Sequence, residues 1–174
     1  MVAFDATMLS LLFSGQAKAP LNPKTKQPVE HMQDRVQHLV NSLESAGERI
    51  VVPTPALSEF LSFAGPSGPS YLSELNSSSV FKVASFDQRA AIEAAAAYQM
   101  ALQSGGKRGG SQSPWQKIKV DRQIVAIAKV EGVHTIYSDD SDVETFAARE
   151  SIQVIGIGEL PLPPEDFQGR LFSE

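Results

Sequence analysis

Residues 121–142 read DRQIVAIAKVEGVHTIYSDDSD, and the pattern in this stretch decides the fold. Apolar residues three and four positions apart predict a helix that Gly132 ends, and Val133–Tyr137 predicts a buried strand. Asp121 lies on the apolar face of the helix, and the strand runs directly into Asp139, Asp140 and Asp142. A helix followed by a strand with a polar carboxyl end is typical of parallel α/β sheets, which bind ligands at that edge.

The same alternation of strand and helix extends through the rest of the chain. The other predicted strands are Val2–Phe4, Ile50–Val52, Val80–Val83 and Ile152–Ile155. Strands that alternate with helices form a sheet covered on both faces. We therefore expect a three-layer α/β/α sandwich with a central parallel sheet of about five strands. We expect one domain over residues 1–158 and an irregular, proline-rich and acidic tail over residues 159–174.

Local signals predict where several helices begin and end. An amphipathic helix is expected from Val29 to a left-handed stop at Gly47. Thr54 is expected to cap a helix whose first residue is Pro55. Asp87 is expected to cap an alanine-rich helix, and Ser141-Asp142-Val143-Glu144 fits a capping box.

Composition excludes several classes of protein. The 174 residues contain no cysteine, which excludes a disulfide framework, a thiolate zinc site and a cysteine nucleophile. No apolar run approaches the roughly 20 residues that span a bilayer, and the N-terminus lacks a basic leader, so we expect a cytoplasmic protein without membrane association. The net charge is −5, so binding to nucleic acid would require a local basic patch or bridging cations.

Acidic residues follow or flank the predicted strands in a way that suggests one shared edge. Asp5 ends the first strand, Glu59 lies about one turn into the helix after the second, and Asp121 precedes the fourth. Clustered carboxylates repel one another, and a divalent cation relieves that repulsion. Sites made only of oxygen ligands favour Mg²⁺, Mn²⁺ or Ca²⁺. Each acid also has a simpler structural role: Asp5 can cap a helix, for example, and Asp121 can pair with Lys117.

The order of these motifs resembles the PIN-domain family, especially VapC-type toxins, over about residues 2–156. The resemblance is carried by Val2-Ala3-Phe4-Asp5-Ala6-Thr7, by residues 52–61 around Glu59, by residues 121–128, and by Ser138-Asp139-Asp140-Ser141-Asp142-Val143. It implies that the main catalytic and metal-binding acids are Asp5, Glu59, Asp121 and Asp140, with Asp142 as a supporting metal ligand. Ser138 replaces the family's usual threonine and Val143 its usual phenylalanine, while the extra Asp139 leaves the register open by one residue.

The resemblance also implies a function. PIN-domain toxins are endoribonucleases that use Mg²⁺ or Mn²⁺ to hydrolyse phosphodiester bonds in RNA, often as dimers, and a small antitoxin holds them inactive by inserting a segment into the acidic site. The Ser138 hydroxyl is of a type that holds a phosphate or a water. Lys107 and Arg108 in the glycine-rich segment 104–113, together with Arg122, are candidates for contacts to an RNA backbone.

Two other functions are compatible with parts of the pattern. A haloacid-dehalogenase-like phosphatase also begins with a strand that ends in aspartate, but its second aspartate is Thr7 here, and Glu59 and Asp121 would have no role. A PIN-fold module that binds RNA or protein without cleaving it would share the fold. Such a module would bind RNA and leave it intact in Mn²⁺.

Overall fold

The computed structural model describes residues 1–14, 19–22 and 25–164, and its centre is a five-stranded parallel sheet. The strands are β1 (Val2–Phe4), β2 (Ile50–Pro53), β3 (Phe81–Ala84), β4 (Thr135–Tyr137) and β5 (Gln153–Ile155). Their order is β3-β2-β1-β4-β5, with every neighbouring pair parallel. The expected parallel sheet is therefore confirmed. The chain winds outward in both directions from β1, so the carboxyl ends of β1 and β4 flank the topological switch point where such folds bind ligands.

Helices cover both faces of this sheet. They are α1 (Ala6–Phe13), α2 (Met32–Ser45), α3 (Thr54–Ala64), α4 (Gly68–Ser77), α5 (Gln88–Gln103), α6 (Trp115–Val130) and α7 (Ser141–Ala148). Single 3₁₀ turns occupy Gly65–Ser67 and Ile157–Glu159. Among the described residues, no helix combines the length and the apolar composition that crossing a membrane requires.

Alternating strand residues divide the core into two layers. Val2, Phe4, Ile50 and Val52 pack with α1 to α4 on one face of the sheet. Ala3 faces the opposite way, into a core that includes residues of α5, α6 and α7. Successive side chains of a strand point to opposite faces, so strands buried on both sides are apolar throughout. The result is the expected three-layer α/β/α sandwich.

Several predicted helix ends are confirmed. Asp87 Oδ1 accepts a hydrogen bond from the backbone N–H of Ala90 at 2.9 Å, which makes Asp87 the N-cap of α5. Gly47 and Gly132 follow α2 and α6 with φ values of +67° and +68°. This left-handed conformation is available to glycine at low cost.

Other boundaries differ from the prediction by up to three residues. The helix expected from Val29 begins at Met32, because His31 has a left-handed backbone conformation with φ +54° that cannot be part of a right-handed helix. Thr54 is the first residue of α3 rather than its cap, and its hydroxyl accepts from the N–H of Phe86 at 3.2 Å.

The end of β4 also differs from the prediction, in how the chain enters α7. Asp140 Oδ1 accepts from the N–H of Asp142 at 2.8 Å and so caps the helix. The capping box expected from Ser141 and Glu144 is wrong, because Ser141 is already the first helical residue. Residues 165–174 of the expected tail lie outside the described residues, so the proposed domain boundary stays a prediction.

Candidate metal centre

Three carboxylates converge at the carboxyl end of β4. Asp121 lies in α6, Asp140 follows β4, and Asp142 lies in the first turn of α7. One oxygen from each carboxylate lies within 4.8 Å of the others. Asp121 and Asp142 are buried, whereas Asp140 is partly exposed. Residues up to 21 positions apart are therefore brought into one small acidic group, which we call the carboxylate triad.

The ammonium group of Lys117 contacts all three members of the carboxylate triad. Its Nζ lies 2.6 Å from Asp140 Oδ2, 2.8 Å from Asp121 Oδ2 and 3.4 Å from Asp142 Oδ2. Burial lowers the pKa of Lys117, but hydrogen bonds to Asp121 and Asp140 outweigh that effect and raise it above its usual value. Lys117 is therefore held in its charged form. With all three carboxylates ionised, its one positive charge leaves two negative charges uncompensated.

The two buried members of the triad respond differently to this environment. Burial raises the pKa of Asp121 to about 6, and the charges of Asp140 and Asp142 push it the same way while Lys117 opposes them. Burial also raises the pKa of Asp142, but hydrogen bonds from Ser113 and Ser111 and the charge of Lys117 leave it below its usual value. The glycine-rich segment thus stabilises the ionised form of one triad member.

Asp5 lies beside the triad without belonging to it. It is 7% exposed, and its Oδ1 caps α1 by accepting from the N–H of Met8 at 2.9 Å. Burial raises the pKa of Asp5 to about 6, against hydrogen bonds from Ser138 and Met8 that lower it. The oxygen of Ser138 in turn accepts from the N–H of Asp140 at 3.1 Å. The buried Ser138 therefore links Asp5 to the turn that carries the triad.

The two neighbouring aspartates after β4 have different surroundings. Asp139 Oδ1 accepts from the N–H of Ile157 at 3.1 Å, and the backbone of Gly156 approaches so closely that a Cβ there would lie 2.7 Å from this oxygen. Asp140, not Asp139, contributes to the triad. Glu59, which is exposed on α3, is not among the described residues that meet within 4.8 Å at this site.

The donor set of the triad fits a hard divalent cation. All three side chains offer carboxylate oxygens, the ligands that Mg²⁺ and Mn²⁺ prefer. Mg²⁺ commonly uses one or two carboxylates and keeps several waters.

The basic residues singled out in the sequence lie around the glycine-rich segment. Lys107 Nζ is 5.2 Å from the Trp115 ring centroid, and Arg108 donates to the Ser113 carbonyl at 3.3 Å. Both residues are exposed. Arg122 is 6% exposed, and its Nη2 donates to the Lys107 carbonyl at 2.8 Å. Arg122 therefore holds the segment in place from the protein interior.

Sequence reasoning missed the central position of Lys117 and the contacts of Ser111 and Ser113 with Asp142. The spacing of four residues between Lys117 and Asp121 indicated one ion pair. Contacts with Asp140 and Asp142 depend on the packing of α6 against α7, which no local pattern shows.

Lys117→Gln tests whether this ammonium occupies the position of a bound cation. Without metal, the variant should be less stable at neutral pH, because the triad loses its counter-ion. Its affinity for Mn²⁺ should be about tenfold higher, about 1.4 kcal/mol, because no ammonium has to be displaced. Titration of free Mn²⁺ by electron paramagnetic resonance measures this affinity. Lys119→Gln, two residues along the same helix, is the control and should match the wild type; an unchanged affinity in Lys117→Gln would place the ion elsewhere.

Asp5→Asn tests the effect of burying a carboxylate. Because the folded pKa of about 6 lies above the ordinary value of 3.8, ionisation of Asp5 destabilises the metal-free protein as pH rises through this interval. Asparagine keeps the cap acceptor and removes the charge. In EDTA at about pH 7.5, the variant should unfold with a free energy about 1–3 kcal/mol higher than the wild type, and the difference should vanish near pH 4. Urea titrations at both pH values measure it, and equal stability at pH 7.5 would contradict this account of Asp5.

Comparison with known proteins identifies the fold. No family model and no curated protein matches the sequence. A chain from the structure of VapBC2 of Rickettsia felis bound to a promoter DNA fragment matches with a TM-score of 0.58 and 11% identity, over 90% of this chain and 98% of that one. A chain from DNA-bound VapBC of Salmonella typhimurium matches with a TM-score of 0.54 and 15% identity, over 90% and 97%.

A third solved structure is VapC20 of Mycobacterium tuberculosis, described as a toxin that cleaves the sarcin-ricin loop. It matches with a TM-score of 0.52 and 14% identity, over 86% of this chain and 95% of that one. At these identities the likeness concerns the fold, and the resemblance seen in the sequence is confirmed at that level. The chain has the VapC-type PIN-domain fold.

Proposed function

We propose that this protein is a metal-dependent endoribonuclease that hydrolyses phosphodiester bonds in RNA. The observation that carries the proposal is the carboxylate triad at the switch point of a VapC-type fold. Three acids packed around one ammonium with excess negative charge are costly unless a cation binds. One of the similar solved structures is described as an RNA-loop-cleaving toxin, which supports the same reaction for this chain.

Asp121, Asp140 and Asp142 would hold Mg²⁺ or Mn²⁺. When bound, the ion would lower the pKa of a water molecule and offset the charge that develops on the scissile phosphate. The chain's own residues prepare the site for this chemistry. Ser111 and Ser113 keep Asp142 ionised, and the cap that Asp140 forms on α7 fixes the direction of its carboxylate.

Asp5 and Glu59 complete the proposed set of acids. Asp5 would act beside the triad, to whose turn it is linked by the hydrogen bonds of Ser138. Ser138 acts here by positioning Asp5 and the turn that bears Asp140. The role of Glu59 as a further catalytic acid on α3 is proposed only because of the family resemblance.

The glycine-rich segment is the proposed contact for the RNA backbone. Its exposed cations Lys107 and Arg108 follow α5 and precede α6, the helix that carries Asp121. Lysine and arginine contacts to phosphate give affinity without base specificity. Arg122 contributes indirectly, because its hydrogen bond to Lys107 fixes the segment beside the acids.

We further propose that a small antitoxin holds the protein inactive, with the protein as a cytoplasmic homodimer. Two of the similar structures are VapBC assemblies. Next to the triad, a cleft of about 540 Å³ is lined by Asp139, Asp140, Glu144 and Glu159. Four carboxylates in one cleft favour a basic side chain of a protein segment over the negatively charged substrate.

The alternative functions fit the site less well. A phosphatase of the haloacid-dehalogenase type would leave Asp121 and its contact with Lys117 unexplained. A binding module without activity would have no need for three converging, partly desolvated acids. No observation in the described residues favours either alternative.

The Asp140→Asn variant is the simplest test of the proposal. Asparagine can still cap α7, so the helix should be retained while one metal-binding charge is lost. With a single-stranded RNA oligonucleotide in Mn²⁺, cleavage should fall roughly 100-fold or more, and EDTA should abolish wild-type cleavage. The matched control is Asp87→Asn, which changes another N-cap aspartate outside the site.

The outcomes separate the hypotheses. The metal site would be contradicted if the Asp140→Asn variant cleaved RNA at the wild-type rate, or if the wild type still cleaved RNA in EDTA. RNA that binds the wild type and stays intact in Mn²⁺ would favour the non-catalytic module. Circular dichroism spectra of both variants should match the wild type.

A further inference from the structure

A second cleft lies between α5, α6 and α7. Neither the carboxylate triad nor Lys117 contributes to its lining. Its volume is about 220 Å³. Apolar side chains from all three helices line it, among them Ala97, Val125, Ala126 and Phe146. Charged residues complete the lining: Glu93, Arg122, Lys129, Arg149 and Glu150.

The buried member of this charged group is Arg122, which lacks a partner for one of its donors. Its guanidinium lies 5.1 Å from the Phe146 ring centroid, and the rings of Tyr98 and Trp115 lie within 6 Å. Nη2 donates to the Lys107 carbonyl, whereas Nη1 is buried without a hydrogen-bond partner among the described residues. Buried donors are nearly always satisfied, so this guanidinium has donor capacity that no acceptor in the described residues uses.

A second guanidinium, that of Arg149, lies next to Arg122. A Cβ placed on Gly109 would be 3.1 Å from a terminal nitrogen of each arginine, and Arg149 Nη2 donates to the Gly109 carbonyl at 2.8 Å. Burial lowers the pKa of Arg122, and the charge of Arg149 lowers it further. Two like charges held this close repel each other unless an anion separates or bridges them.

The acids of the cleft pair with Lys129 of the same lining rather than with the arginines. Lys129 Nζ lies 2.6 Å from Glu93 and 2.7 Å from Glu150. No carboxylate among the described residues forms an ion pair with Arg122 or Arg149. Lys129 supplies one positive charge for these two carboxylates, so the charged lining has a net charge of +1, and its two arginines form no ion pair among the described residues.

We propose that this cleft binds a small carboxylate, whose charged end pairs with Arg122 and Arg149 and whose hydrocarbon part packs against Ala97, Val125 and Phe146. The planar guanidinium fork matches the geometry of a carboxylate. The volume is below the roughly 300–1,000 Å³ of pockets for drug-sized ligands, so the ligand has few heavy atoms. The source is either a free aliphatic acid or an acidic side chain of a protein bound over the cleft.

The experiment compares three probes on the full chain. Sodium hexanoate has both the charge and the hydrocarbon part, 1-hexanol lacks the charge, and inorganic phosphate lacks the hydrocarbon part. Hexanoate should bind saturably at millimolar or lower concentration, shift the NMR resonance of the Arg122 Nε–H, and raise the melting temperature. The other two probes should bind at least about tenfold more weakly. N-acetylglutamate amide, tested in parallel, distinguishes the sources: tighter binding than hexanoate indicates a protein side chain, and weaker binding a free acid.

A matched pair of variants locates the binding. Ala97→Leu fills the cleft and leaves both arginines in place, so hexanoate affinity should fall at least about tenfold. Ala96→Leu, on the exposed face of the same helix, should bind as the wild type does. The proposal is overturned if no carboxylate binds, if hexanol or phosphate binds as well as hexanoate, or if Ala97→Leu has no effect. These experiments measure ligand binding and not RNA cleavage, so their outcome does not depend on the proposed nuclease function.

Discussion

Repulsion among Asp121, Asp140 and Asp142 is the constraint on which this site depends. Three carboxylates lie within 4.8 Å of one another, and two of them are buried. The ammonium of Lys117 contacts each of them but supplies a single positive charge. Burial raises the pKa of Asp121, and the charges of Asp140 and Asp142 raise it further. This group lowers the stability of the metal-free protein, and the proposed binding of a divalent cation would relieve the repulsion.

The topology of the sheet is what brings these groups together. Because β1 and β4 are neighbours and parallel, Asp5 and the turn after β4 end at the same edge. α6 packs against α7, which places Asp121 and Lys117 opposite Asp140 and Asp142. Two hydrogen bonds of Ser138 then connect the end of β1 to that turn. Helix capping and the proposed metal binding do not compete, since the cap uses Oδ1 of Asp140 while Oδ2 faces Lys117.

Most of the fold was predictable from the sequence because its signals are local. Apolar strands and capping residues such as Asp87 determine the elements, and parallel α/β rules restrict their arrangement. The convergence of Asp121 and Asp140 followed from the same rules. The choice of Asp140 over Asp139 did not, because it depends on a hydrogen bond from Ile157, which is far along the chain.

Interactions between distant segments account for what could not be predicted. The glycine-rich segment was expected only to offer cations to RNA, yet Ser111 and Ser113 contact Asp142, and the buried Arg122 donates to the segment's backbone. Burial of an arginine beside aromatic rings has no signature in sequence spacing. The cleft between α5, α6 and α7 was absent from the sequence analysis for the same reason.

The most direct test of the account is the anomalous scattering of Mn²⁺ in crystals of the protein soaked with the ion. The account predicts a peak at about 2.0–2.3 Å from oxygens of Asp121, Asp140 and Asp142, with the Lys117 ammonium moved away from that position. Crystals with full Mn²⁺ access that show no peak at the triad, with Lys117 still in contact with all three acids, would contradict it.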